Sequence, residues 1–293
     1  MSLRITPVYD LLLRGTETLP VGLYHLHLAT AEQLTKLHYS TGTLKTVKKR
    51  LKILTDHGFL QADSVPTRQY RSPYFYSLDT KGLRYLKDIG VDVPETLRAA
   101  GEMHEGYQFI DHALELNDLL ISAMQISSVE PLYHLTSFLH ERTLKRTPYK
   151  ATWQGASYSL VPDAFLDFRV QTTGGQRRLP VLIEHDRGTE EQQHFRRRIR
   201  AYASFLQSGA YVQMFNTKAL TVAFTTLKDA KRVVQMRHWT QTELQEAGAS
   251  NLAPVFLFAD LAKPLEPRNV WLAKRWYGLQ NSQPFALLAS ESA

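Results

Sequence analysis

Val181-Leu182-Ile183-Glu184-His185-Asp186-Arg187-Gly188-Thr189 decides how the larger part of this chain is read. An apolar run that ends in alternating acids is a buried strand presenting carboxylates at its end. The side-chain period of two puts Glu184 and Asp186 on one face and sends His185 to the other. Upstream, Val161-Pro162-Asp163 sets a further acid after a proline, and a turn-forming Gly-Gly-Gln-Arg-Arg stretch at 174–178 lies between the two segments. That order predicts a β-hairpin whose open end brings Asp163 beside Glu184 and Asp186. Three carboxylates at one sheet edge repel unless a cation or hydrogen-bond donors hold them. A hard divalent ion such as magnesium prefers oxygen ligands, so the pattern points to phosphoryl-transfer chemistry.

Working outward, Leu132–Leu139 reads as a strand leading to His140-Glu141-Arg142, and Tyr158–Val161 and Phe165–Val170 read as hairpin strands. A helix from Glu190 to about Leu206 carries Phe195, Arg196, Arg197, Arg198, Ile199, Arg200 and Tyr202. Leu220–Thr226 and Val255–Phe258 are buried-type strands with a helix between them. Strands alternating with helices predict an α/β sheet of mixed pairing. The tail after Trp276, rich in Pro, Gln and Ser, reads as peripheral. Plainer readings stand beside the chemical ones. Asp163 caps a turn after Pro162, and Asp186 caps a helix opening near Thr189 with Glu190 complementing its dipole. Most of the 196–200 arginines form a solvated face, and Tyr202 belongs to the core.

The N-terminal third has a different grammar. Thr30 with Gln33 three residues on is a capping signal before Leu34 and Leu37. After Tyr39–Gly42, Leu44, Val47, Leu51 and Leu54 form one apolar stripe, with Lys45, Lys48, Lys49 and Lys52 opposite. Gly58 ends that helix. Phe59-Leu60, a basic loop containing Arg68 and Arg71, the strand Tyr74–Leu78 and a helix from Thr80 complete the order helix, helix, helix, hairpin, helix. This is the winged helix-turn-helix arrangement, in which the basic helix enters a major groove and the loop reaches flanking phosphates. His25-Leu26-His27 resembles a metal-binding histidine pair but lacks a third histidine and a strand context. A helix from Tyr107 to about Ile126, with Ile110, Leu114, Asn117 and Ile121 along one side, follows the Asp92-Val93-Pro94 break. The expected division is 1–95, a linking helix in 96–130, and 131–293.

Composition limits the classes. The 293 residues are 43% hydrophobic and 22% charged, ordinary for a globular protein. No apolar run reaches the roughly 18 residues of a membrane span. Leu11–Leu13 sits between Asp10 and Arg14 rather than in a secretory leader, so a cytoplasmic location is expected. The absence of cysteine excludes disulfides, thiolate zinc sites and cysteine nucleophiles. The net charge of +7 favours polyanionic partners. Residues 1–90 hold 13 Lys/Arg against 7 Asp/Glu, so nearly all of the surplus lies there.

Pro162-Asp163, a spacer and Glu184-x-Asp186 resemble the PD-(D/E)xK nuclease superfamily. The longer string Ile183-Glu184-His185-Asp186-Arg187-Gly188-Thr189-Glu190, with Arg198-Ile199-Arg200-Ala201-Tyr202, resembles the replication-relaxation family of plasmids and integrative elements, related to mobilisation relaxases of the MobC type. The resemblance implies a winged helix coupled to a nuclease-like mixed sheet flanked by helices. It implies magnesium or manganese at Asp163 and Glu184, with Asp186 adding a ligand or positioning water. Asp186 stands where the superfamily carries a lysine, and Arg198 on the following helix is the substitute cation. Glu141 matches a further acidic position of some members. The implied partners are double-stranded DNA, plasmid replication or transfer proteins and, as an open alternative, a second copy of the chain. Two other functions remain open, a non-catalytic replication or transfer regulator and a transcriptional repressor.

Overall fold

Thr30 joins a strand to a helix, and its cap is built as the spacing predicts. In the computed structural model, which describes residues 6–7, 18–64, 74–94, 107–153 and 155–288, Gln33 N donates to Thr30 Oγ1 and Thr30 N donates to Gln33 Oε1, each at 3.1 Å. This reciprocal pair satisfies two donors that a helix start would otherwise leave orphaned. The chain divides into two units, Val8–Ile121, and Met1–Pro7 with Ser122–Ala293. The first strand, β1 (Thr6–Pro7), belongs to the later unit.

The unit Val8–Ile121 contains α1 (Thr18–Leu26), β2 (Leu28–Thr30), α2 (Ala31–His38), α3 (Leu44–Asp56), β3 (Leu60–Ser64), β4 (Tyr74–Leu78), α4 (Thr80–Asp88) and most of α5 (Tyr107–Met124). The strands form an antiparallel sheet in the order β2-β4-β3. On α3, Val47 and Leu51 are fully buried. Leu44 and Leu54 are half-buried, and Lys45, Lys48, Lys49 and Lys52 are exposed. The helix stops at Gly58, whose φ of +73° is left-handed. Gly58 N donates to Thr55 O and Phe59 N to Leu54 O, both at 2.9 Å, which satisfies the last carbonyls of the helix. Arg68 and Arg71 lie outside the described residues.

Helix α5 docks through amides as well as through apolar contact. Buried Asn117 donates from Nδ2 to Leu26 O at 3.2 Å and to Leu28 O at 2.6 Å. Gln33 Nε2 donates to Leu114 O at 2.7 Å and Asp118 Oδ1 at 2.8 Å. Between these anchors, Leu28, Phe75 and Ala113 pack together with Ile110 and Leu114.

The other unit contains α6 (Ile126–Val129), β5 (Tyr133–His140), α7 (Glu141–Leu144), β6 (Tyr149–Trp153), β7 (Ala156–Leu160), β8 (Ala164–Thr172), β9 (Gly175–Asp186), α8 (Gln192–Gln207), α9 (Ala210–Phe215), β10 (Thr221–Thr226), α10 (Ala230–Glu246), β11 (Phe256–Asp260) and β12 (Tyr277–Gly278). Seven strands form a mixed sheet in the order β1-β5-β8-β9-β10-β11-β12. β8 and β9 form the expected hairpin, and β9, β10 and β11 run parallel with helical crossovers between them. Phe195, Tyr202, Phe224, Phe256 and Phe258 are fully buried in the core that α8 and α10 share with this sheet. Each such side chain contributes roughly 2 kcal/mol by burial. Among the described residues no helix is long and apolar enough to cross a membrane.

Two expectations change. The strand ending at Leu160 pairs with β6 rather than with β8. Pro162, lacking an N–H, separates the two ladders, and Asp163 N then donates to Ile183 O at 3.1 Å. The tail is not peripheral. β12 pairs with β11, Trp276 is fully buried, and Leu279 and Leu288 are buried as well. Its Pro, Gln and Ser content hid a few large apolar side chains that suffice to dock it.

Replacing Asn117 with Leu retains shape and leaves the Leu26 and Leu28 carbonyls without their amide donor. The expected loss is about 1–3 kcal/mol, read as a lower denaturation midpoint in urea at unchanged slope.

Candidate functional site

Strand directions bring four acids to one edge. β5 ends where β8 begins, with His140 opposite Ala164. β8 begins where β9 ends, with Ala164 opposite Ile183. Glu141 follows β5, Asp163 precedes β8, and Glu184 and Asp186 close β9. Asp163, Glu184 and Asp186 are 9%, 2% and 4% exposed, so each carboxylate has lost most of its water and requires protein donors.

Each finds them differently. Asp163 Oδ2 accepts from the backbone N–H of His185 at 2.7 Å. Glu184 Oε1 accepts from the Tyr202 hydroxyl and Oε2 from Arg198 at 2.9 Å. Arg198 also donates to Glu190 Oε1 at 3.0 Å. Asp186 is gripped by Arg232 of α10, with Nε to Oδ1 at 2.9 Å and Nη2 to Oδ2 at 2.7 Å. Its Oδ1 also accepts from Gly188 N. Helix α8 starts only at Gln192, with Glu191 at its cap position, so Asp186 does not cap it. Glu141 and Asp163 offer carboxylate oxygens within 4.8 Å of each other, and Lys145 Nζ lies 2.6 Å from Glu141 Oε1. The ring of His185 lies on the opposite face of β9, 3.0 Å from the Thr225 hydroxyl.

Burial pushes the Glu184 carboxyl up to about 8, Arg198 opposes that rise, and Asp163 adds to it. Burial and the Glu184 charge raise the Tyr202 hydroxyl well above its ordinary value, so it stays protonated and donates. The edge therefore holds a carboxyl poised between charge states, with an always-charged guanidinium beside it.

The residues read from sequence fall into three places. Asp163, Glu184 and Arg198 converge through direct or adjacent contacts. Asp186 shares the edge but turns to Arg232. Lys45, Lys48, Lys49 and Lys52 lie on α3 of the other unit, where Lys48 pairs with Glu32 and Lys52 with Asp56, each at 2.8 Å. Sequence reasoning missed Arg232 and the polar role of Tyr202. The i, i+4 spacing of Arg198 and Tyr202 puts both on one helix face and was a readable signal. Arg232, on a helix remote in sequence from Asp186, gave none. Of the neighbouring arginines, Arg196 and Arg200 hold Glu243 of α10.

Two outcomes follow from this electrostatics. Arg232→Ala leaves Asp186 buried without its cation and lowers stability by about 3–5 kcal/mol in chemical denaturation. Glu184 has a folded pKa above its unfolded value near 4.5. The stability it contributes is complete below that value and is lost as pH rises through about 8. Glu184→Gln removes this titration, so wild type loses melting temperature relative to the variant between about pH 5 and pH 9. Parallel pH curves for the two proteins would contradict this assignment.

No curated protein and no solved structure matches the chain. The replication-relaxation family model matches residues 22–220. That span takes in the basic helix α3, both strands of the acid-bearing hairpin and the Arg198–Tyr202 face of α8. Covering well over half of the sequence, it establishes that the chain belongs to the replication-relaxation family.

Proposed function

We propose that this protein binds duplex DNA during replication or transfer of a plasmid or integrative element. In this reading the first unit is a winged helix-turn-helix, and the second is a PD-(D/E)xK-type domain that nicks a phosphodiester bond with magnesium or manganese. The observation that carries it is α3. Its buried Val47/Leu51 stripe faces the unit while four lysines face solvent, as a groove-entering helix requires. Lys45 and Lys49 form no ion pair among the described residues, whereas the exposed pairs of Lys48 and Lys52 are weak enough for phosphate to replace.

The donor set at the sheet edge suits a hard divalent ion. Glu141 and Asp163 carry oxygens within 4.8 Å, and Glu184 is the neighbouring acid with the raised pKa. Asp186 fits less well, since both of its oxygens are engaged by Arg232. Glu141, Asp163 and Glu184 are therefore the proposed ligands. A bound ion supplies charge neutralisation at phosphorus and an acidified water. Arg198, which donates to Glu184, would stabilise negative charge on the phosphate and cannot act as a base. The backbone N–H of His185 keeps Asp163 aimed at the edge, and Tyr202 holds Glu184 in place.

A second reading is favoured by one observation. Arg198, Tyr202 and Arg232 already supply donors to Glu184 and Asp186, as expected of a domain that keeps the fold for DNA or protein contacts without cutting.

Supercoiled plasmid with magnesium or manganese separates the readings. Conversion to open circles by wild type, lost in Asp163→Ala and in Glu184→Ala, supports nicking. Unchanged plasmid alongside tight retention of DNA supports the binding module. The duplex-binding claim has its own check. Lys45→Ala/Lys49→Ala is expected to reduce the log–log salt slope of duplex affinity by about 2, at roughly 0.9 per phosphate contact. A salt-independent affinity would end that claim.

A further inference from the structure

A groove of about 410 Å³ lies between β7 and the first half of α8. Its walls carry Ser157, Tyr158 and Ser159 on one side and His194, Arg197 and Arg198 on the other. Glu190 is its acid, already bound by Arg198 at 3.0 Å. Arg197 and His194 are exposed, and Arg197 forms no ion pair among the described residues. The lining is therefore a surplus of positive charge beside a strand that carries two exposed serines, chemistry that suits phosphate oxygens.

The groove leads to the acids. Val161 lines it, and the next residues along the chain are Pro162 and Asp163. Arg198 lines it too, and Arg198 Nη1 touches Glu184. Its volume lies in the roughly 300–1,000 Å³ range of small-ligand sites, enough for a nucleotide unit and too little for a duplex. Tyr158 adds an aromatic ring with which a base can stack, and its hydroxyl is engaged by Arg200.

We infer that this groove seats one nucleotide of a single DNA strand, with Arg197 and His194 on its phosphate and Ser157 and Ser159 as further donors. The next phosphate along the strand then reaches the edge where Asp163 and Glu184 stand. The inference builds on the nicking reading and adds that the strand is engaged unpaired, at a surface separate from the lysines of α3.

The test uses the full chain without divalent metal. Fluorescence anisotropy is followed on a labelled oligothymidylate of about fifteen nucleotides and on a labelled duplex of similar length. His194→Ala/Arg197→Ala is expected to weaken oligothymidylate binding about 5- to 20-fold and to flatten its salt slope by about 0.7 per lost phosphate contact. Its duplex affinity stays within about twofold. Lys45→Ala/Lys49→Ala shows the opposite selectivity. Both groove side chains are exposed, so an unchanged melting temperature confirms that the fold is intact. The inference is overturned if wild type fails to bind the single strand, if the groove variant binds it as tightly as wild type, or if both probes weaken equally. Selective loss of the single strand in a protein that does not nick plasmid would leave the groove standing and the nicking reading rejected. Nicking by a protein whose single-strand affinity ignores the groove variant would do the reverse.

Discussion

Three carboxylates withdrawn from water at one sheet edge constrain much of the larger unit. A buried anion without donors is costly enough to unfold a domain of ordinary stability. Helix α8 therefore has to place Arg198 and Tyr202 over Glu184, and α10 has to place Arg232 over Asp186. The loop between β9 and α8 takes its shape from the same demand. Gly188 adopts a left-handed φ of +74°, and its N–H turns back to Asp186. A side chain there would also meet Lys228, whose Cδ lies 2.8 Å from the position of an added Cβ.

The basic residues perform two unlike tasks. Arg178, Arg196, Arg198, Arg200 and Arg232 in the larger unit are committed to internal acids, which suits the planar, bidentate guanidinium. The lysines of α3 remain hydrated on flexible stems. Arg197 differs from its arginine neighbours: it is exposed and forms no ion pair among the described residues.

Local signals were legible where one element carried the whole message. The Thr30–Gln33 box, the α3 stripe, the Gly58 stop and the 163–186 hairpin each depend on residues close in sequence, and their geometry follows from periodicity and capping alone. Pairings that join distant segments were not legible. Adjacency in sequence points β7 to β8, whereas its partner β6 precedes it. Arg232 sits on a helix chosen by the tertiary fold rather than by spacing. Composition, which averages over a stretch, makes the segment after Trp276 read as peripheral, while its docking depends on a few large side chains. At the candidate site the acids and Arg198 are legible, the spacing of Tyr202 from Arg198 carries a signal for its role, and Arg232 is not legible.

β9 lies in the middle of its sheet, antiparallel to β8 on one side and parallel to β10 on the other. A residue added or removed within its apolar half would have to be absorbed by both ladders at once, and every side chain beyond it would change faces. The opposite end of the strand opens into the exposed Gly174–Gly175 turn, where the hairpin can lengthen or shorten without moving the carboxylates. Changes in chain length are accordingly tolerable at one tip of this strand and prohibited at the other, so natural variation in this hairpin should accumulate at its turn.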